Sequence, residues 1–243
     1  MRGMRVRIGL LGLCLVALTA TAAPIAAAES ATTEGDEIVD VSKQVSDIEE
    51  KLDDLLDRGR WAKPGDLLES ADCGYGEPST LFAPWGDGAT YMLAPQGDLS
   101  ETGGWTLDKD ADVDSSADPF SGASRSLRFR KGAEAATPAM CVNLDHPTIR
   151  FFVRDAGGNG KSYLRVEVLY EDFGGGVKHM TVARVRAGST WRPSAIIPMY
   201  MNVLALASPS GQTAVAFRFK AEGLQKGETV SISSLYVDPF KSR

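Results

Sequence analysis

The chain is poor in the residues that carry most enzyme chemistry. It holds two histidines, His146 and His179, and three cysteines in 243 residues. It has no Gly-x-Ser-x-Gly elbow and no phosphate-cradling glycine loop, so nucleophilic hydrolysis and nucleotide chemistry lack their usual marks. Asp145-His146 beside Thr148 is the only fragment of a proton relay, and Pro147 makes a turn cap the simpler role for it. Basic residues are outnumbered, 26 Lys and Arg against 32 Asp and Glu, which leaves no concentrated basic surface for nucleic acid. No apolar run reaches the roughly 20 residues that a membrane-spanning helix needs.

What is present begins with an export pattern. Arg2, Arg5 and Arg7 precede an apolar stretch from Ile8 to Ala22, and Ala26-Ala27-Ala28 supplies an A-x-A-like cleavage site. This predicts a signal peptide over 1–28 and a secreted, extracellular protein with no membrane attachment after cleavage. An uncleaved anchor is the competing reading. A lipoprotein on Cys14 would need a small residue where Leu13 stands. Loss of the leader leaves Cys73 and Cys141, and two cysteines in an exported chain are expected to pair. Two separate buried thiols are the alternative. A bridge between them would close a long loop and stabilise the fold by about 4 kcal/mol in chain-entropy terms.

Charge is unevenly spread. Residues 29–60 carry 11 acidic and 4 basic side chains, whereas the chain from Trp61 onward is close to balanced, with 21 and 19. Residues 29–37 read as a flexible linker. Ile38, Val41, Val45, Ile48, Leu52 and Leu55 then recur at alternating spacings of three and four. That spacing predicts an acidic amphipathic helix over 38–58 that ends at Gly59. Its narrow stripe suits a short coiled-coil seam and homo-oligomerisation, but also packing on its own domain or on another protein.

After residue 72 the texture changes to strands. Leu164, Val166, Val168 and Tyr170 alternate with Arg165, Glu167 and Glu171, and Gly174-Gly175-Gly176 turns the chain into Val177–Val185. Val215, Phe217 and Phe219 face away from Arg218 and Lys220. Trp105–Val113, Leu127–Arg130, Ile149–Arg154 and Val230–Val237 add further strands, while Met201–Ala207 fits a strand or a covering turn of helix. About nine strands between turn signals predict a mainly β domain over 72–243, an antiparallel sandwich preceded by one amphipathic α-helix.

Several stretches carry a resemblance. They are Cys73-Gly74-Tyr75-Gly76, Phe82-Ala83-Pro84-Trp85-Gly86-Asp87, Gly104-Trp105-Thr106-Leu107, Pro138-Ala139-Met140-Cys141-Val142 and Leu144-Asp145-His146-Pro147-Thr148. Over roughly residues 72–239 the chain resembles uncharacterised secreted proteins of high-GC, Gram-positive-type bacteria. The resemblance implies a galactose-binding-like jelly roll of the kind found in carbohydrate-binding modules. In it Cys73 and Cys141 occupy the paired-cysteine positions. It implies no activity, and the helix over 38–58 falls outside it.

Two sets of side chains are candidates for ligands. Asp108, Asp110, Asp112 and Asp114 place carboxylates at alternate positions, as a structural calcium would want. Val113 and Pro119 nevertheless stand where an EF-type loop needs Gly and Glu, and a solvated strand face gives the same spacing. Exposed aromatics would stack on sugar rings; Trp85, between Pro84 and Gly86, is the foremost, with Tyr91 and Tyr75 beside it. Trp105 and Trp191 sit on strands, where core packing is the default. The expectation is a non-catalytic binding module without a required cofactor, whose partner is a glycan or an envelope protein. The alternatives are a structural protein assembling through 38–58, and a hydrolase built on scattered carboxylates.

Overall fold

A computed structural model describes residues 66–100, 104–157 and 162–238. The signal peptide, the linker and the heptad helix expected over 38–58, with Ile38, Val41, Val45, Ile48, Leu52 and Leu55, lie outside the described residues. No described helix is long and apolar enough to cross a membrane.

The chain is mainly β, and its strands form two antiparallel sheets. The first sheet orders β10 (Arg192–Pro193), β7 (Thr148–Ala156), β13 (Thr229–Val237), β4 (Ser126–Phe129) and β3 (Ala111–Asp114). There β1 (Met92–Leu93) pairs with β13 and β11 (Ile197–Pro198) with β7. The second sheet orders β2 (Thr106–Leu107), β5 (Glu134–Ala136), β12 (Thr213–Glu222), β8 (Tyr163–Glu171) and β9 (Val177–Val185), with β6 (Met140–Val142) also on β12. The chain crosses between sheets after β1, β2, β4, β6, β7, β9, β11 and β12, which is jelly-roll wiring.

Period-two patterning explains the core. Leu164, Val166 and Val168 of β8 and Val215, Phe217 and Phe219 of β12 are buried, and they meet Leu127, Phe129, Phe151, Val153 and Ile232 from the first sheet. Phe151 and Phe219 touch edge to face across the gap, their ring centroids 5.3 Å apart. Each such side chain contributes about 1.5–3 kcal/mol when fully buried.

Cys73 and Cys141 are joined, with Cα atoms 4.9 Å apart. The bridge clips the segment before the first strand to β6, beside a parallel bridge between Asp72 and Met140. A five-residue helix, α1 (Asp66–Ser70), sets Leu67 into an alanine-lined patch of Ala136, Ala139, Ala214 and Ala216. Beyond the patch, the second sheet's outer surface is tied by ion pairs from Arg218 to Glu167 and from Arg165 to Glu222.

The alternation from Trp105 to Val113 does not make one strand. Thr106–Leu107 pairs with β5 in the second sheet, and Ala111–Asp114 pairs with β4 in the first. Asp108 enforces the crossing: one oxygen accepts the Asp110 N–H and the other the Glu134 N–H, both at 2.9 Å. Met201–Ala207 forms a 3-10 helix.

Candidate binding site

Strand β7 runs through the middle of the first sheet and buries side chains on both of its faces. Ile149, Phe151 and Val153 enter the core, so Arg150, Phe152 and Arg154 point outward. Phe152 is nonetheless fully buried. A layer of aromatic side chains covers it, made by the segment before β1 and the loop between β3 and β4.

The segment before β1 is closed by paired backbone hydrogen bonds between Ser79 and Tyr91. Inside it, Ala83–Trp85 forms a single 3-10 turn, with Pro84 fixing the entry and Gly86 capping it at φ 81°. Phe82 drops onto Phe152 (5.3 Å between centroids), while Trp85 stands at the rim, 38% exposed. Asp87 holds this turn to the sheet. It accepts the Tyr91 hydroxyl at 2.7 Å, the Ala89 N–H at 3.1 Å and the Arg150 guanidinium at 2.6 Å. Burial works to raise the Asp87 carboxyl, but these hydrogen bonds and the charge of Arg150 outweigh it and hold the group below the usual carboxylate range. Arg150 also donates twice to the Ser194 carbonyl and lies 4.4 Å over the Phe82 ring.

The second arm of the layer is Phe120, 43% exposed. It meets Trp85 edge to face, with centroids 4.8 Å apart and planes at 82°, and rests on Phe152 at 5.4 Å. Buried Asp118 fixes its loop. One Asp118 oxygen accepts the N–H groups of Phe120 and Ser121, both at 2.8 Å; the other accepts the Ser121 hydroxyl at 2.6 Å and the Ser234 hydroxyl at 3.2 Å. Ser234 sits where β13 bulges and takes φ 57°, so the bulge aims its hydroxyl at Asp118. Further along, Trp191 packs against the same aromatic cluster, and the Arg154 guanidinium lies 4.9 Å over its ring.

The aromatic residues singled out in the sequence are placed differently from one another. Trp85 is at the surface. Tyr91 is wholly buried and spends its hydroxyl on Asp87, so it offers no ring face to a ligand. Tyr75 is half-buried: its hydroxyl donates to the Cys141 carbonyl and its ring stacks on His146 at 5.1 Å. Burial first, and then the charge of Asp72, push its hydroxyl far above the ordinary tyrosine range. Both tyrosines hold structure together, because a short polar-tipped ring beside a turn is a ready tie between turn and sheet. Trp105 is buried and donates its indole N–H to the Gln96 carbonyl.

The four aspartates do not converge. Asp108 is occupied by backbone N–H groups, while Asp112 and Asp114 are paired with Arg128 at 2.5 and 2.7 Å, and Asp112 also with Arg130. Cross-strand arginines neutralise this carboxylate row. Among the described residues no group of three or more His, Cys, Asp or Glu is placed to hold a metal ion.

Phe120 and Arg154 do not stand out in the sequence as candidate binding residues. The signal for Phe120 is a single large aromatic set among Ser115, Ser116, Ser121 and Gly122, where no core-facing alternation accounts for it. A second apolar surface lies at the end of the sandwich. Val203 and Leu206 are exposed on one face of the 3-10 helix, which turns every three residues, and Tyr200, just before the helix, is exposed too.

No known protein family matches the sequence, and no curated relative does. Solved structures with a similar course of chain include the CBM22-1 xylan-binding domain of Paenibacillus barcinonensis Xyn10C. It is 14% identical, with 62% of this chain and 94% of that one covered and a TM-score of 0.42. The C-terminal family 22 carbohydrate-binding module of Clostridium thermocellum Xyn10B is 16% identical over 70% and 97% of the two chains, with a TM-score of 0.36. A family 43 arabinoxylan arabinofuranohydrolase from Bacillus subtilis is 12% identical over 53% and 24%, with a TM-score of 0.35. Likenesses this distant do not carry a ligand from one chain to another.

Proposed function

We propose that the domain is a non-catalytic module that binds a glycan on the outer face of the first sheet, outside the cell. The observation that carries this reading is the Trp85–Phe120 pair. Two large aromatic rings stand at the surface, in contact with each other, and both rest on the buried Phe152. Sugar rings have apolar C–H faces that lie well on such rings, and hydroxyls around their edges that need polar neighbours. The pair is also preorganised. Asp87 locks the Trp85 turn and Asp118 locks the Phe120 loop, so little ordering entropy is left for binding to pay. Binding rather than bond cleavage is favoured because both carboxylates beside the rings, half-buried Asp87 and buried Asp118, are engaged as structural acceptors. Secretion is supported by the basic, apolar, small-residue order of the first 28 residues, and fits the joined cysteines.

The test is a glycan array on the purified mature protein, followed by titration calorimetry on each hit. Trp85→Ala and Phe120→Ala are expected to lose binding at least tenfold with unchanged circular dichroism. Unaltered affinity in both variants would remove the platform from the account.

A further inference from the structure

Arg154 is set apart from the other sheet arginines that are at least partly buried; Arg184 and Arg192, which also form no ion pair with a described residue, are exposed. Arg128 meets Asp112 and Asp114, Arg150 meets Asp87, Arg165 meets Glu222 and Glu167, and Arg218 meets Glu167. Arg154 forms no ion pair with any described residue. The only hydrogen bond its side chain makes to a described residue is a long one, from Nη2 to the Ser116 hydroxyl at 3.5 Å. Register makes the contrast sharper. Arg128, Ser231 and Arg154 lie side by side across β4, β13 and β7, so two arginines share one outward row. Asp112, the carboxylate of that row, and Asp114, two residues further along β3, both pair with Arg128.

The position of Arg154 is not accidental packing at the periphery. It lies two residues from Phe152 on the same face of β7, hence about 7 Å along the strand from the ring that supports Trp85 and Phe120. One face of its guanidinium is covered by Trp191. Stacking of this kind strips water from the cation and fixes its plane, which leaves the edge with the terminal nitrogens as the place for an acceptor. Two neighbouring donors, the Arg154 Nε–H and the Trp191 indole N–H, are buried and have no acceptor. Buried donors without acceptors cost free energy and add positive potential to the spot.

We infer that Arg154, stacked on Trp191 and flanked by Ser116, is a carboxylate subsite, and that the glycan lying on Trp85 and Phe120 is an acidic one built from uronic acid residues. The inference rests on the platform reading above. A planar guanidinium edge matches a carboxylate with two parallel hydrogen bonds, and Ser116 adds a third polar contact at the rim. A neutral sugar would leave the cation uncompensated, so the subsite discriminates by charge while the rings supply charge-blind affinity.

The experiment uses the full mature chain and three uronate polymers, polygalacturonate, alginate and hyaluronan, each beside its carboxyl-methyl-esterified form. Esterification removes the charge and keeps the sugar. The wild type is expected to bind at least one acid form tenfold or more tightly than its ester, with affinity falling as salt rises. Arg154→Gln, checked for fold by circular dichroism, is expected to bind the two forms alike, at the affinity of the ester. Trp85→Ala is expected to weaken both forms together. Equal wild-type binding of acid and ester overturns the inference, as does a preference that survives in Arg154→Gln or binding confined to neutral glycans. In those cases the platform reading stands as long as Trp85→Ala still weakens binding. If Trp85→Ala weakens nothing, or no glycan binds, the platform reading fails and the subsite with it.

Discussion

Asp118 sets the position of Phe120 from the far side of the loop: the carboxylate accepts the Phe120 N–H at 2.8 Å and, through its other oxygen, holds the Ser234 hydroxyl of the β13 bulge. The exposed ring is thus tied to the strand next to β7. Asp118→Ala would strand two backbone donors and two hydroxyls. The expected cost is about 1–3 kcal/mol in denaturant unfolding, together with a loss of glycan affinity comparable to that of Phe120→Ala. A variant that loses stability but keeps full affinity would show that Phe120 does not need this anchor.

Arg150 and Asp87 form the most enclosed ion pair on the same face, at 2.6 Å. Asp87→Ala leaves the Arg150 charge in a site where, among the described residues, the Ser194 carbonyl and the Phe82 ring remain to meet it. Removing one partner of a buried pair typically costs about 3–5 kcal/mol. Chemical denaturation of Asp87→Ala checks this, and a change under 1 kcal/mol would mean that water reaches the site freely.

The bridge between Cys73 and Cys141 closes a loop of 68 positions. Its removal in Cys73→Ser/Cys141→Ser is expected to lower stability by about 4 kcal/mol. Thermal unfolding in the presence and absence of a reductant reads the same effect, and the double variant should be insensitive to the reductant.

His146 gives the fold a pH dependence in the mildly acidic range. Its Nδ1 accepts the Asn143 N–H at 3.1 Å, and its ring stacks on Tyr75, an arrangement that needs the neutral imidazole. Burial lowers its pKa from 6.5, and the nearby Asp145 only partly offsets that. The unfolded chain therefore takes up the proton first. The contribution is complete above pH 6.5 and is lost as pH falls through the lowered folded value. Asp87 acts with the same sign at lower pH: its contribution is whole above 3.8 and is lost as pH falls through its depressed folded pKa. Denaturant midpoints measured from pH 7 to pH 5 should decline in the wild type, and decline less in His146→Asn.

The sandwich was legible because its long strands obey a period of two. Tyr163–Glu171 and Val177–Val185 have the bounds that alternation and the triple glycine indicate. Where strands are two to four residues long, the pattern is too short to locate a break, and the Trp105–Val113 run hid a change of sheet made by Asp108. The site was legible only at Trp85, whose Pro and Gly neighbours mark an exposed turn. Tyr91 looked equivalent in sequence, but its burial depends on Asp87 and Arg150, and Arg150 lies far along the chain. Phe120 and Arg154 come to one surface only because the loop after β3 folds over the outer face of β7, where Phe152 and Arg154 stand.

The central claim is that Trp85 and Phe120 form a sugar-stacking platform, and titration calorimetry reads it most directly. With the glycan that binds best on an array, the account predicts clear saturable heat for the wild-type protein and a loss of at least tenfold in affinity for Trp85→Ala, in a variant whose thermal unfolding is unchanged. Equal affinity in wild type and Trp85→Ala would contradict it.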